Sequence, residues 1–210
     1  MTHTITETKD GILSICTRTE TGSKTTRYID SSRGLILDTM EVTPDARIFT
    51  KYKSDGIHID EVEISTLNAK TIYFEDKKTP KVNQEILPDK TKKTVHYRRD
   101  TSINKVTVEM PEGTFQTTYF NADGKKPVKF IETNTEGLSK TTIFNDVNGQ
   151  IQNIQEDLAD GSILKTFFRA DGTIEKKWQM HLKGLKSNTI RQTLFDKSGK
   201  KIIKTEDIEG

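Results

Sequence analysis

Four histidines, a single cysteine and 31 Asp and Glu are the residues of this 210-residue chain best suited to chemistry, so their spacing is the first thing to weigh. His3, His58, His96 and His181 lie far apart, with no His-x-x-x-His or other chelating interval. A zinc site would have to be assembled across neighbouring strands; isolated strand-face histidines are the plainer expectation, with His96 a stacked surface residue among tyrosines. Asp55-Gly56, Asp123-Gly124, Asn148-Gly149 and Asp171-Gly172 echo a calcium loop, but the residue five before the glycine is Tyr119 in one case and Phe167 in another. Neither can ligate a hard cation, and the positive φ of a tight turn accounts for the dipeptides. Gly22-Ser23-Lys24-Thr25 resembles the end of a phosphate loop, yet position 17 is Thr where the first glycine should be. No Gly-x-Ser-x-Gly elbow exists, the sequence places no histidine to activate Cys16, and the carboxylates are too plentiful for the sequence to locate or exclude an acid/base pair. The expectation is a non-enzymatic chain with no catalytic residue, no metal ligand and no cofactor, and with no small-molecule substrate in view.

Binding chemistry is better represented. Basic clusters at Lys90 to Lys93, Arg98-Arg99, Lys125-Lys126, Lys176-Lys177 and Lys200-Lys201 are interleaved with Tyr97, Tyr119 and the sole tryptophan, Trp178. Such a surface could track phosphates and stack bases, or lie on an anionic membrane. Acidic residues accompany the clusters throughout and the net charge is only +2, so lysines that keep exposed strands from aggregating are the simpler account. Trp178 is either a cap residue or a binding anchor, next to a wide loop at Lys183 to Asn188 that breaks the spacing more than any other.

The elements that must position these residues are announced by a repeat of about 23 residues. An aromatic or aliphatic column, Ile29, Tyr52, Phe74, Tyr97, Phe120, Phe144, Phe168 and Phe195, is followed each time by a turn: Gly34, Gly56, Lys78-Thr79-Pro80, Thr101-Ser102, Gly124, Gly149, Gly172 and Gly199. A second ladder of turns runs between them at Gly22, Pro44-Asp45, Asn68, Pro88-Asp89, Gly113, Gly137, Gly161 and Gly184. Two interleaved ladders mean two short strands per repeat. Strands alternate faces, so the aromatic column shares its side with Thr50, Ile72, Val95, Thr118, Thr142, Thr166 and Thr193. The opposite side carries a mixed column, Tyr28, Lys51, Tyr73, His96, Tyr119, Ile143, Phe167 and Leu194. The expected fold is all-β: a continuous antiparallel meander of hairpins, about seventeen strands of seven or eight residues, forming one elongated sheet that is twisted or partly curled. A single twisted sheet, a rolled half-shell and a split sandwich all satisfy the pattern. A repeat without a pause makes residues 1–210 a single array with atypical terminal repeats as caps.

Composition agrees with strands that have a wet face rather than with a thick core: 31% hydrophobic, 30% charged and a mean hydropathy of −0.68. One cysteine excludes a disulfide framework and a cysteine-based zinc site. Leu13-Ser14-Ile15-Cys16 has the look of a lipobox, but Glu7, Lys9 and Asp10 stand where an apolar signal core should be. No apolar stretch approaches the ~18 residues of a membrane-spanning helix. The default expectation is a cytoplasmic protein, with leaderless export as the alternative.

The pattern aromatic-x-x-x-Gly, followed by a second glycine turn and a Thr-rich strand, resembles the YD repeats of Rhs-type proteins. Phe195-Asp196-Lys197-Ser198-Gly199 shows it in full; Tyr52 to Gly56, Phe120 to Gly124 and Phe168 to Gly172 keep the aromatic and the glycine without the following Asp. MORN repeats have a similar hairpin period but carry glycine pairs that this chain lacks. The resemblance implies a bacterial setting and an interaction or enclosing surface. The resulting expectation is a repeat scaffold that binds another macromolecule, most simply a protein, through its sheet surface, with Tyr28, Tyr73, His96, Tyr119, Phe167 and Trp178 as contact residues. A structural or cargo-enclosing shell that self-associates is the first alternative; membrane or nucleic-acid binding through the lysines is the second.

Overall fold

A computed structural model describes residues 2–7, 11–19, 22–181 and 189–209; the wide loop at Lys183 to Asn188 lies outside the described residues. Eighteen strands carry the chain: β1 (Thr2–Glu7), β2 (Ile12–Arg18), β3 (Lys24–Asp30), β4 (Leu35–Val42), β5 (Arg47–Tyr52), β6 (Ile59–Ser65), β7 (Ala69–Tyr73), β8 (Pro80–Ile86), β9 (Lys92–Tyr97), β10 (Ile103–Glu109), β11 (Phe115–Phe120), β12 (Pro127–Thr133), β13 (Ser139–Phe144), β14 (Ile151–Asp157), β15 (Ser162–Phe168), β16 (Ile174–His181), β17 (Thr189–Phe195) and β18 (Ile202–Glu209). No helix occurs among the described residues. The fold is the all-β antiparallel hairpin meander that the two turn ladders require.

The strands fall into two units, residues 1–88 with 92–101 and residues 89–91 with 102–210. The first holds β1 to β9, each paired antiparallel with the next. The second runs the same way from β10 to β18. Within each unit a strand touches only the strands before and after it in sequence. Each unit is therefore a single layer, and burial follows from that. Val62, 6% exposed, is the only fully buried hydrophobic side chain among the described residues; the others at that depth are Thr26, Thr91, Thr142, Ser162 and Thr166. Threonine is buried because it is small: Thr142 lies between Phe130 and Ile154 of the flanking strands, and Thr166 between Ile154 and Lys177.

Seven first-ladder hairpins carry a β-bulge near the end of the strand entering the turn, between its last two residues in six of them and between Tyr28 and Ile29 in β3. The strand leaving the turn has one residue too many there, as where Phe120 pairs with Pro127 but Tyr119 pairs with Lys129. A bulge adds local twist and resets the alternation of faces. Ile57 and His58 belong to the turn, and β6 begins at Ile59.

Register corrects one column. Sequence spacing places Phe74 with the aromatics and Tyr73 on the opposite side, yet Phe74 N donates to Thr79 O at 2.9 Å as Asn121 N donates to Lys126 O at 2.9 Å. The bulge falls between Ile72 and Tyr73 as it does between Tyr119 and Phe120. Tyr73 is the counterpart of Phe120, Thr71 of Thr118 and Ile72 of Tyr119. The cause is the β6–β7 loop, residues 66–68 alone, which shortens the repeat by enough to move every later residue of that strand to the other face.

The two turn ladders differ in packing. Three turns of the first touch a neighbour: a Cβ built on Gly56 would lie 2.8 Å from Leu35 Cβ, one on Gly124 2.5 Å from Ile103 N, and one on Gly199 2.6 Å from Ile174 N. Side chains tie these turns together as well. Arg99 Nη1 meets Glu75 Oε1 at 2.7 Å with its guanidinium 4.9 Å from the Phe74 ring, Lys126 Nζ donates to Val147 O at 2.7 Å, and Arg169 Nη2 donates to Phe195 O at 2.8 Å. On the second ladder, Gly22, Gly113 and Gly137 have open space where a Cβ would go, as do Gly34, Gly149 and Gly172 on the first.

Turn carboxylates are engaged by their own loops. Asp30 Oδ1 accepts from Ser32 Oγ at 2.6 Å and from Ser32 N at 3.0 Å, and Asp76 accepts from Thr79 Oγ1, Thr79 N and Lys78 N. The Ser32 hydroxyl and the Arg33 guanidinium hold Asp30 at about 2, and the Thr79 hydroxyl and amide hold Asp76 at about 2, against an ordinary 3.8. The amides of Ile57 and His58, with the His58 ring, push Asp55 down as well. Carboxyls lowered by folding stabilise the native state above their ordinary value and lose that contribution as pH falls through the folded value. Thermal stability should therefore hold down to about pH 4 and drop between roughly pH 4 and pH 2. Asp76→Asn should flatten part of that drop; a melting temperature with the same pH profile in wild type and variant would refute the assignment.

Candidate functional site

The single layer leaves two faces in each unit, and in the second unit they have different chemistry. The first face begins with an apolar ladder beside the bulges, in which Phe144 pairs with Ile151, Phe168 with Ile174 and Phe195 with Ile202. The next row reads Val106, Thr118, Phe130, Thr142, Ile154 and Thr166 across successive strands. Beyond it runs a polar row, in which Gln116 Nε2 donates to Glu132 Oε1 at 3.3 Å and Lys140 Nζ lies 3.4 Å from Glu156 Oε1. Further along the same row Arg191 Nε meets Asp207 Oδ1 at 2.9 Å. An apolar stripe with a paired polar margin is the anatomy of an interface patch.

The second face carries aromatics and lysines in register. Lys105, Tyr119, Lys129 and Ile143 form one row on consecutive strands, continued by Asn153, Phe167, Lys176 and Leu194. Lys129 stands beside Tyr119, and Lys165 and Lys176 beside Phe167 and Trp178, so ammonium and ring meet. Lys129 Nζ lies 5.7 Å from the Tyr119 centroid, Lys165 Nζ 5.2 Å from that of Phe167, and Lys176 Nζ 4.9 Å from both Phe167 and Trp178. Phe167 and Trp178 meet edge to face at 4.7 Å between centroids. Trp178 Nε1 donates to Gln192 Oε1 at 2.8 Å, and Gln192 Nε2 donates to Glu206 Oε1 at 3.3 Å.

In the first unit the related positions neutralise themselves. Tyr28 pairs with Asp38, Asp38 with Lys51 and Lys51 with Glu61, while Glu61 accepts from Lys81 Nζ at 2.5 Å and Glu63 from Lys70 Nζ at 2.6 Å. Burial pushes the Asp38 carboxyl up, with the Lys51 charge opposing. On this face Lys70 and Lys81 are held in acid–lysine pairs, whereas in the second unit Lys129, Lys165 and Lys176 rest on rings and Lys204 pairs with Glu206.

Of the six contact residues expected from sequence, Tyr28, Tyr73 and His96 lie in the first unit and Tyr119, Phe167 and Trp178 in the second. Phe167 and Trp178 are brought into ring contact; Tyr119 shares the Phe167 row four strands away. Tyr73 belongs with the bulge-side aromatics rather than with Tyr119. His58 is a turn residue and not a strand-face histidine: its Nδ1 lies 2.6 Å from Asp55 Oδ2. The side chains of His3 and His181 lie outside the described residues. Sequence reading missed Lys129, Lys165 and Gln192, whose roles depend on cross-strand register.

Among the described residues no group of three or more His, Cys, Asp or Glu side chains converges, and no helix is long and apolar enough to cross a membrane, which says nothing of crossing by strands. No family model matches the chain, and no curated protein matches it. Among solved structures the chain is similar to a porin-like protein from Bacteroides uniformis ATCC 8492, with 9% identity over 98% of this chain and 91% of that one at a TM-score of 0.19.

Proposed function

We propose that the protein is a non-enzymatic hairpin-repeat scaffold that takes a protein partner on the first face of its second unit. The observation that supports this is the uncovered ladder of Phe144, Ile151, Phe168, Ile174, Phe195 and Ile202, with its margin of paired charges. Ile151 is 38% and Ile202 55% exposed, although hydrophobic area of this kind is worth ~25 cal/mol per Å² when covered. A partner with an apolar strip of its own would cover the ladder and leave the Lys140–Glu156 and Arg191–Asp207 pairs as a wet rim.

Ile151→Glu and Ile202→Glu test this because both side chains are exposed enough to change at little cost to folding. Each variant should melt within about 1 kcal/mol of wild type and lose the protein that wild type captures from its native lysate. A captured partner that both variants retain at wild-type level would remove this face from the reading.

A further inference from the structure

The second face of β15 to β18 carries chemistry that a protein partner on the first face leaves unused. Three rows lie side by side there. The row nearest the second-ladder turns is apolar, with Ile163, Met180 and Ile190 on consecutive strands. The middle row pairs Lys165 with Trp178, and the third pairs Phe167 with Lys176. We propose that this face docks on an anionic lipid bilayer, with the apolar row entering the boundary of the acyl chains and Trp178, Lys165 and Lys176 at headgroup level.

Several features favour that occupant. The order apolar, indole, ammonium across the rows matches the polarity gradient of a membrane interface, where tryptophan and snorkelling lysines concentrate. Trp178 has its Nε1–H bonded to Gln192 at 2.8 Å, so the indole can enter a dry region without leaving a donor unsatisfied. The Lys165 and Lys176 ammoniums rest on rings and form no ion pair with a described carboxylate, which leaves their charge for a polyanionic surface. A single-stranded nucleic acid fits less well, because base stacking needs a free ring face and Lys176 lies 4.9 Å from both ring centroids. At the related positions of the first unit, Lys81 and Lys70 are held instead by Glu61 and Glu63.

Trp178 is the only tryptophan of the chain, so its emission reports on this face alone. The full chain is mixed with phosphatidylcholine vesicles with and without phosphatidylserine, and followed by sedimentation and by fluorescence. The expected result is sedimentation with the phosphatidylserine vesicles only, a blue shift of Trp178, quenching by a lipid-borne quencher, and release by salt. Lys165→Gln with Lys176→Gln should weaken partition on the order of 25-fold, about fivefold for each lysine, with the circular dichroism spectrum unchanged. Ile151→Glu should bind vesicles as wild type does while losing the protein partner; wild type that captures its partner but leaves vesicles unbound sinks this inference alone. Sedimentation without a change in Trp178 emission, equal binding to neutral vesicles, or absence of binding would each overturn it. Retention of a single-stranded oligonucleotide that the double lysine variant abolishes, with vesicles unbound, would overturn it in favour of a nucleic-acid surface.

Discussion

Gly124→Ala should destabilise the second unit by about 3 kcal/mol, whereas Gly137→Ala should cost only about 1 to 2 kcal/mol. Both glycines have a left-handed backbone, with φ of 73° and 80°, so the conformational penalty of an L residue is common to the two. They differ in what surrounds them. A Cβ on Gly124 would lie 2.5 Å from Ile103 N and 3.1 Å from Ile103 O, both backbone atoms that cannot swing aside, while nothing lies within 4 Å of one on Gly137. Relief at Gly124 requires the turn after β11 to move away from the start of β10, which loosens the hairpin beside it. In a layer where each strand touches only its neighbours, that damage should stay local: amide exchange should quicken in β10 to β13 and change little in β17 and β18. Urea titration of the two variants checks the difference. Equal losses would mean that the first-ladder turns are not packed against one another.

Arg169 ranks second in expected effect. Its Nη1 donates to Ile174 O at 2.6 Å and to Thr173 Oγ1 at 3.3 Å, closing its own turn, and its Nη2 donates to Phe195 O at 2.8 Å on the next first-ladder hairpin. One half-buried guanidinium thus joins β15, β16 and β17 through carbonyls that have no other described side-chain donor. Arg169→Met keeps the stem and removes the fork. Charge-assisted bonds to the two carbonyls are together worth roughly 3 kcal/mol, and Arg169→Lys should recover less than half of that because one ammonium cannot span both turns. Thermal and urea unfolding measure the loss; a change below about 0.5 kcal/mol in the methionine variant would show that the turns hold without it.

Neither effect could have been ranked from the residues alone. Gly124 and Gly137 occupy similar Asp-Gly and Glu-Gly turns in the sequence, and the ladder to which each belongs is visible there. What separates them is the distance to a residue on a neighbouring hairpin. Arg169 occupies the place where a YD repeat would have its Asp, a position that sequence reading registers only as a departure from the pattern. The candidate faces show the same division. Phe167 and Trp178 stand out in the sequence as aromatics, but their meeting at 4.7 Å and the lysines seated on them follow from the pairing of Lys165 with Trp178 and of Phe167 with Lys176. Tyr73 was misplaced because a short β6–β7 loop shifts the count by one residue, and one residue in a strand is a change of face.

The sequence by itself determined the strand class, the order of the hairpins and the positions of the turns, since each depends on a few adjacent residues: Asp or Asn to bond the loop, a glycine to take positive φ, and Thr, Ile or an aromatic to extend the chain. Tertiary structure decided which side chains share a face and which turns touch. The recurring bulge resets the alternation inside seven first-ladder hairpins, and pairing brings together residues from separate hairpins, so those relations exist only once the backbones have zipped.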